Sequence, residues 1–245
     1  VVSWNTVILL YIEQGDNDHA LHCYLEMQEQ GLAPDSMAYT NILKACGNAA
    51  ALDVGKMIHA QLSSDIEGKK DIVLSTSFLD MYSKCGSLND AQRVFDRMLE
   101  RNLISWNAII AACAQKSLYK VAIDYFEKMQ ESGMNPDEAT FLSVLSACSH
   151  AGQVEKGHYL MKQMTTQYGL VPTLDHYSCM LDLLSRAGLL NEAIDFLDST
   201  PCETNIEGWT SLLTHCKENG NVTLGKQCFV HLFEADQAHS IGISY

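Results

Sequence analysis

EMQEQGLAPD at residues 26–35 returns as KMQESGMNPD at residues 128–137. The spacing is 102 residues, the same as that from Trp4 to Trp106 in the triplets of VVSWN (1–5) and LISWN (103–107). Sliding the chain against itself at that offset extends the match. NILKACGNAAALDVGK (41–56) faces SVLSACSHAGQVEKGH (143–158), and MYSKCGSLNDA (81–91) faces LLSRAGLLNEA (183–193). These stretches also share one plan: an apolar segment, a small-residue turn, a second apolar segment. A period of this kind marks a repeat architecture. The round divides into units 1–35, 36–71 and 72–102, and its second copy into 103–137, 138–173 and 174–205. A seventh unit opens at 206 and contains GWTSLLTHCKENGNVTLGK.

The spacing of apolar residues names the element. Trp4, Val7, Ile8, Tyr11 and Ile12 follow the pattern of one helix face. Gly15-Asp16-Asn17 supplies a helix stop and the cap of the next helix, and Ala20, Leu21, Tyr24 and Leu25 form its stripe. Gly31 closes that helix and Pro34 prevents its continuation. The second round repeats the plan with Trp106, Ile109, Ile110 and Cys113, then Ile123, Phe126 and Met129. Neither helix of a pair buries its stripe alone, so pairs must stack. The expected fold is all-α, an α-solenoid of stacked helical hairpins wound as a right-handed superhelix.

Composition agrees. A chain of 245 residues with 47% hydrophobic and 19% charged residues is ordinary for a folded protein. It has no run of 18 uncharged apolar residues, so no membrane span is expected. Of nine cysteines, Cys46, Cys113, Cys148 and Cys216 sit at the eleventh position of their units, where others place Tyr11, Tyr82 and Leu184. No two form a C-x-x-C pair, which points to buried, reduced packing residues rather than metal ligands. No Ser-His-Asp set or P-loop is present, and no cofactor is implied.

VVSWNTVI and EMQEQGLAPD resemble the standard 35-residue unit of the pentatricopeptide repeat family. The rotation of lengths 35, 36 and 31 resembles the plant-type subclass that alternates standard, long and short units. NILKACGNAAALDVGKMIHAQL and SVLSACSHAGQVEKGHYLM resemble its long units, and LDMYSKCGSLNDAQRVFDRM its short one. DHYSCMLDLLSRAGLLNEAIDFL resembles the last short unit, and GWTSLLTHCKENGNVTLGK the E motif that follows it; FEADQAHSIGISY departs from that motif by lacking a Pro. The first residue falls inside a repeat, so an organelle targeting segment is expected outside the chain.

The resemblance implies one RNA base per hairpin, selected by two or three side chains. The readers are the residue at position 5 and the last residue of each unit. Asn5 with Asp35, and Asn107 with Asp137, would favour uracil. Thr76 with Asn102, and Ser178 with Asn205, would favour adenine. Thr40 with Asp71 is formally a guanine pair in a long unit that reads poorly, and Leu142 with Thr173 reads nothing. Position 2 would flank the base with an apolar surface: Val2, Val73 and Ile104, with Asp175 breaking the rule. With the amino terminus toward the 5′ end, the predicted tract is U-(G)-A-U-N-A. Caps and turns use the same residue types, so each pair also has a purely structural reading.

A net charge of −14 opposes phosphate binding. The windows expected as first helices carry Lys44, Lys84, Lys116, Arg186 and Lys217 against Glu13, Asp80, Asp182 and Glu218. In the family these helices line the concave groove, so the acidity belongs mainly to the opposite face. Lys84 and Arg186 share position 13 of the short units and are the candidate phosphate contacts. Members of the subclass direct cytidine-to-uridine editing in mitochondria or chloroplasts. That chemistry needs H-x-E and C-x-x-C motifs around zinc, and neither occurs here. The chain is therefore expected to be a binder, with residues 206–239 linking to a deaminase-bearing or editing-factor protein. The competing readings are RNA maturation or stabilisation, and a protein-binding scaffold.

Overall fold

The computed structural model of the chain describes residues 2–66 and 71–198 and scattered positions between 209 and 233. Among the described residues there are helices and turns and no strand. The helices follow in pairs: α1 (Val2–Glu13) and α2 (Asn17–Glu29), α3 (Ser36–Asn48) and α4 (Leu52–Ile66), α5 (Ile72–Lys84) and α6 (Leu88–Arg97). They continue as α7 (Leu103–Gln115) and α8 (Tyr119–Glu131), α9 (Glu138–Ala151) and α10 (Val154–Thr166), α11 (Leu174–Arg186) and α12 (Leu190–Asp198). The fold is thus all-α, made of helical hairpins. None of these helices is long and apolar enough to cross a membrane.

One left-handed residue separates the two helices of each pair. Gly15, Gly86, Gly152 and Gly188 take this position, and so do Ala50 (φ +53°) and Ser117 (φ +55°). At the first turn the Gly15 amide donates to the Ile12 carbonyl (3.1 Å) and the Asp16 amide to the Tyr11 carbonyl (2.8 Å), closing α1. The Asp16 carboxylate then accepts the His19 amide and opens α2.

The chain forms two compact units, Val1–Cys113 and Ala114–Tyr245. In the first, α1 packs on α3 and α3 on α5, so the first helices of successive pairs lie side by side. Each also packs on its own second helix. Ile8, Tyr24, Ile42, Cys46, Phe78 and Tyr82 are buried in this core, and Phe95 meets Trp106 edge-on at 4.8 Å between centroids. In the second, α9 packs on α8, α10 and α11, with Phe126, Phe141 and Tyr168 in successive edge contacts. Beyond them Leu181, Leu184, Ala193, Trp209, Cys216 and Cys228 form a further buried cluster.

Two details explain the helix spacing. Cys46, Cys113 and Cys148 are fully buried at the eleventh position, and burial pushes the Cys46 and Cys148 thiols up to about 12 and Cys113 to about 11. These are inert packing thiols. Gly55 of α4 and Gly157 of α10, matched at the 102-residue offset, let each second helix approach the following first helix closely. A Cβ on Gly55 would lie 2.5 Å from the Met81 thioether, and one on Gly157 2.5 Å from Leu183 Cδ2.

Candidate nucleic-acid interface

The last residue of each described unit begins the next first helix. Asp35 Oδ1 accepts the Ala38 amide (2.8 Å), Asp71 the Leu74 amide (3.0 Å) and Asn102 the Ser105 amide (2.9 Å). Asp137 accepts the Thr140 amide (2.9 Å), and the Thr140 hydroxyl returns the bond in a capping box. Thr173 donates its amide to His176 Nδ1 (3.1 Å), and His176 Nε2 donates to the Glu138 carbonyl (2.9 Å), tying α11 to α9. The structural reading of these positions is therefore correct.

Capping also fixes where the carboxylate points. Asn5 Nδ2 donates to both oxygens of Asp35, at 2.9 and 3.1 Å. The two candidate readers of the first unit touch, although 30 residues separate them. The Ala38 amide and then the Asn5 amide hold the Asp35 carboxyl below its usual range. With Nδ2 committed, the free end of Asn5 is Oδ1, a buried acceptor that has no partner among the described residues.

The hydroxyl readers behave differently. Thr76 donates to the Ile72 carbonyl (2.6 Å) and Thr40 to the Ser36 carbonyl (2.9 Å), each one turn back along its own helix. Their protons are occupied, and their lone pairs remain as acceptors. Asn107 and Ser178 are half-buried on α7 and α11, as is Leu142 on α9. Asn205 lies outside the described residues, as does the side chain of Val2.

Positions 2, 5, 9 and 13 fall on one face of a helix, since they recur every three or four residues. Val73 (60% exposed) and Ile104 (65%), the candidate base-flanking residues, stand open at position 2. So does Met37 (65%) in the second unit, which the sequence reading passed over although the register places it there. Asp175 is exposed at the same place on α11.

Lys84 and Arg186 share that face but are not isolated cations. Lys84 Nζ lies 2.8 Å from Asp80, and Arg186 Nε 2.8 Å from Asp182. Asp182 also accepts the hydroxyl of Ser149 from α9. The signal was present as an Asp four residues before the cation in both short units, the spacing at which helical side chains meet.

Past residue 206, Trp209, Cys216 and Cys228 are buried, whereas Val222, Phe229, Val230 and Phe233 are exposed. Leu213, Val222, Phe229 and Val230 line an open cavity of about 870 Å³, with Lys217 and Lys226 also on its wall.

Stacked hairpins repeating at this length define a helical-repeat protein. Comparison with known sequences agrees in detail. The PPR repeat family matches residues 1–48 and 101–150, and the PPR repeat matches 73–103, 139–167 and 175–199. A putative pentatricopeptide repeat-containing protein of Arabidopsis thaliana is 38% identical over 243 residues, 99% of this chain and 32% of the relative. A chloroplastic pentatricopeptide repeat-containing protein of the same plant is 37% identical, covering 96% of this chain and 32% of the relative. A mitochondrial one is 36% identical, covering 92% and 35%. Among solved structures, the pentatricopeptide repeat protein PPR10 from maize superposes with a TM-score of 0.77 at 17% identity over 96% of this chain and 34% of that one. PPR10 in complex with an 18-nt psaJ RNA element superposes with a TM-score of 0.79 at 16% identity, covering 96% and 35%. The chain belongs to the pentatricopeptide repeat family. It spans about a third of the length of the curated relatives it matches.

Proposed function

We propose that the chain binds single-stranded RNA one base per hairpin and serves as the specificity module of an organelle C-to-U editing factor, in mitochondria or chloroplasts. The observation that carries the reading is the Asn5–Asp35 pair. Capping holds Asp35, Asp35 holds the Asn5 amide nitrogen, and the remaining Oδ1 is an acceptor without a partner among the described residues. A buried unpaired acceptor costs about 1–3 kcal/mol, which an N–H donor recovers once the Asn5 side chain opens to meet it. The N3–H of uracil is such a donor, consistent with the U expected at this position. Exposed Met37, Val73 and Ile104 supply apolar surface against which base faces would pack. The RNA-bound PPR10 neighbour supports the ligand class.

The deamination itself falls outside this part, since the chain lacks the H-x-E and C-x-x-C motifs. The apolar cavity among residues 213–230 favours a protein contact there, in keeping with a deaminase-bearing or editing-factor partner through 206–239. The subclass with alternating standard, long and short units and an E-like seventh unit belongs to this proposal, as does the tract U-(G)-A-U-N-A. An RNA maturation or stabilisation factor would use the same interface without that protein contact.

The test is titration of a labelled hexamer carrying the tract against one in which both uracils are replaced by cytosine. The expected outcome is tighter binding of the first, weakening with salt by a slope of about 0.7 per phosphate contact. Equal binding of the two hexamers would leave the protein-scaffold reading in its place.

A further inference from the structure

Asp80 and Asp182 stand where an RNA-binding stripe is least expected to carry acid. On α5 the stripe runs Val73, Thr76, Asp80, Lys84, and on α11 it runs Asp175, Ser178, Asp182, Arg186, each step three or four residues. Both short units thus place a carboxylate between the base-reading position and the cation. Both carboxylates engage that cation, with Lys84 Nζ and Arg186 Nε at 2.8 Å. Asp182 is further anchored by the Ser149 hydroxyl, which reaches it from α9. Its side chain is 24% exposed where that of Arg186 is 52% exposed, so the anion is held and the cation faces solvent. Asp80 and Lys84 are each 44% exposed. Over the six first helices α1 to α11, positions 9 and 13 carry Glu13, Lys44, Asp80, Lys84, Asp182 and Arg186, three of each sign. At these two positions the charges cancel, and Asp175 adds a further acid at position 2 of α11.

We propose that Asp80 and Asp182 are affinity-setting residues: each holds down the cation four residues on and thereby keeps RNA binding weak, leaving specificity to the base readers. The inference rests on the RNA-binding reading above. Its physical content is competition. A phosphate approaching Lys84 or Arg186 must either displace the carboxylate or sit beside it, and both weaken the contact. An array with this arrangement discriminates between tracts by its reader pairs, because nonspecific backbone attraction, which is sequence-blind, contributes little.

The substitutions Asp80→Asn and Asp182→Asn keep size and hydrogen-bonding capacity while removing the charge. The chain provides its own control in Asp124 and Lys128 on α8, an Asp–Lys pair of the same spacing at 2.7 Å on a second helix. Asp124→Asn changes the net charge equally but away from the stripe. The probe is a single-stranded RNA hexamer carrying the tract, titrated by fluorescence anisotropy at several salt concentrations. Wild type is measured beside it on the cytosine-substituted hexamer, and thermal melts confirm that each variant is folded.

Each short-unit substitution is expected to tighten binding about threefold and the pair about tenfold, as for removal of one like charge near a phosphate. The salt slope should steepen by about 0.7 per site. Adding Lys84→Gln to Asp80→Asn should abolish the gain at that site. Asp124→Asn should stay within about 1.5-fold of wild type at about 0.15 M salt, because the pair lies on a second helix, off the stripe, and is exposed to screening. If Asp124→Asn tightens binding as much as the other two, the effect is global charge and the inference falls. If wild type prefers the uracil hexamer and neither short-unit variant differs from it, the inference falls while the RNA reading stands. If wild type binds neither hexamer at low salt, both fall together.

Discussion

Gly55 and Gly157 occupy the same place in the two rounds, yet alanine should be tolerated at one and not at the other. In both, an added methyl meets the following first helix at 2.5 Å, so something must shift. At Gly55 the obstacle is the Met81 thioether, with Sδ and Cε both at 2.5 Å. An unbranched side chain with three rotatable bonds moves aside at little cost. At Gly157 the obstacle is Leu183 Cδ2, with Met180 Sδ behind it at 3.1 Å. Met81, Leu183 and Met180 are all fully buried, so the contrast lies in flexibility: the branched Leu183 has fewer rotatable bonds with which to turn aside. Overpacking of this kind costs about 1–3 kcal/mol, against which alanine recovers about 1 kcal/mol of helix propensity. Gly157→Ala is therefore expected to lose about 1–2 kcal/mol, and Gly55→Ala to come out near zero. Urea unfolding of the whole chain measures both through the shift in midpoint at constant slope. A Gly55→Ala variant destabilised as much as Gly157→Ala would refute the reasoning, as would a Gly157→Ala variant stabilised by the full propensity gain.

Two further outcomes are expected. Ser117 takes the left-handed conformation that glycine takes at Gly15, one round earlier. A non-glycine residue pays about 1 kcal/mol or more for it, so Ser117→Gly should raise stability by about 0.5–1 kcal/mol in the same urea assay; a loss would show that the serine is unstrained. His59 stacks on Phe78 at 4.5 Å and its Nδ1 lies 2.8 Å from the Tyr82 hydroxyl. Burial, followed by the positive charge of Arg97, depresses its pKa, and Asp90 opposes them weakly. The unfolded chain therefore takes up a proton near pH 6.5 that the folded chain refuses. The contribution of His59 is complete above that pH and is lost as pH falls toward the depressed folded value. Midpoints measured from pH 8 to pH 5 should fall faster for wild type than for His59→Gln, and parallel curves would contradict this.

Much of the fold was written in the repeat itself. The stripes built on Trp106, Ile109, Ile110 and Cys113, and on Ile123, Phe126 and Met129, are buried as their spacing requires. What stayed hidden is backbone and side-chain geometry of a kind that residue type does not encode. Ala50 and Ser117 turn left-handed without glycine, because the hairpin imposes the conformation that the other four turns reach with it. At the interface, the residue types of the readers were legible, but their two duties were not separable. Asp35 caps α3 and holds Asn5 at once, one carboxylate serving both across 30 residues of sequence. Thr76 and Thr40 bond back to their own helices, which their letters do not disclose. Lys84 and Arg186 stand out in the sequence as candidate phosphate contacts, but a count of charge by window does not show that each is paired. Pairing depends on the four-residue step, which a window count ignores.

The most direct test of the account exchanges the reader pair of the first unit for that of the third. Asn5→Thr with Asp35→Asn keeps a cap on α3, since asparagine caps as well as aspartate, so the array should remain folded. Wild type and variant are titrated against hexamers carrying U or A at the first predicted position. The account predicts a wild-type preference for U and a variant preference for A, each of at least about fivefold, in line with about 1–3 kcal/mol for a two-contact base reader. A variant that keeps the wild-type preference, or a wild type indifferent to the base, would contradict base reading by the Asn5–Asp35 pair.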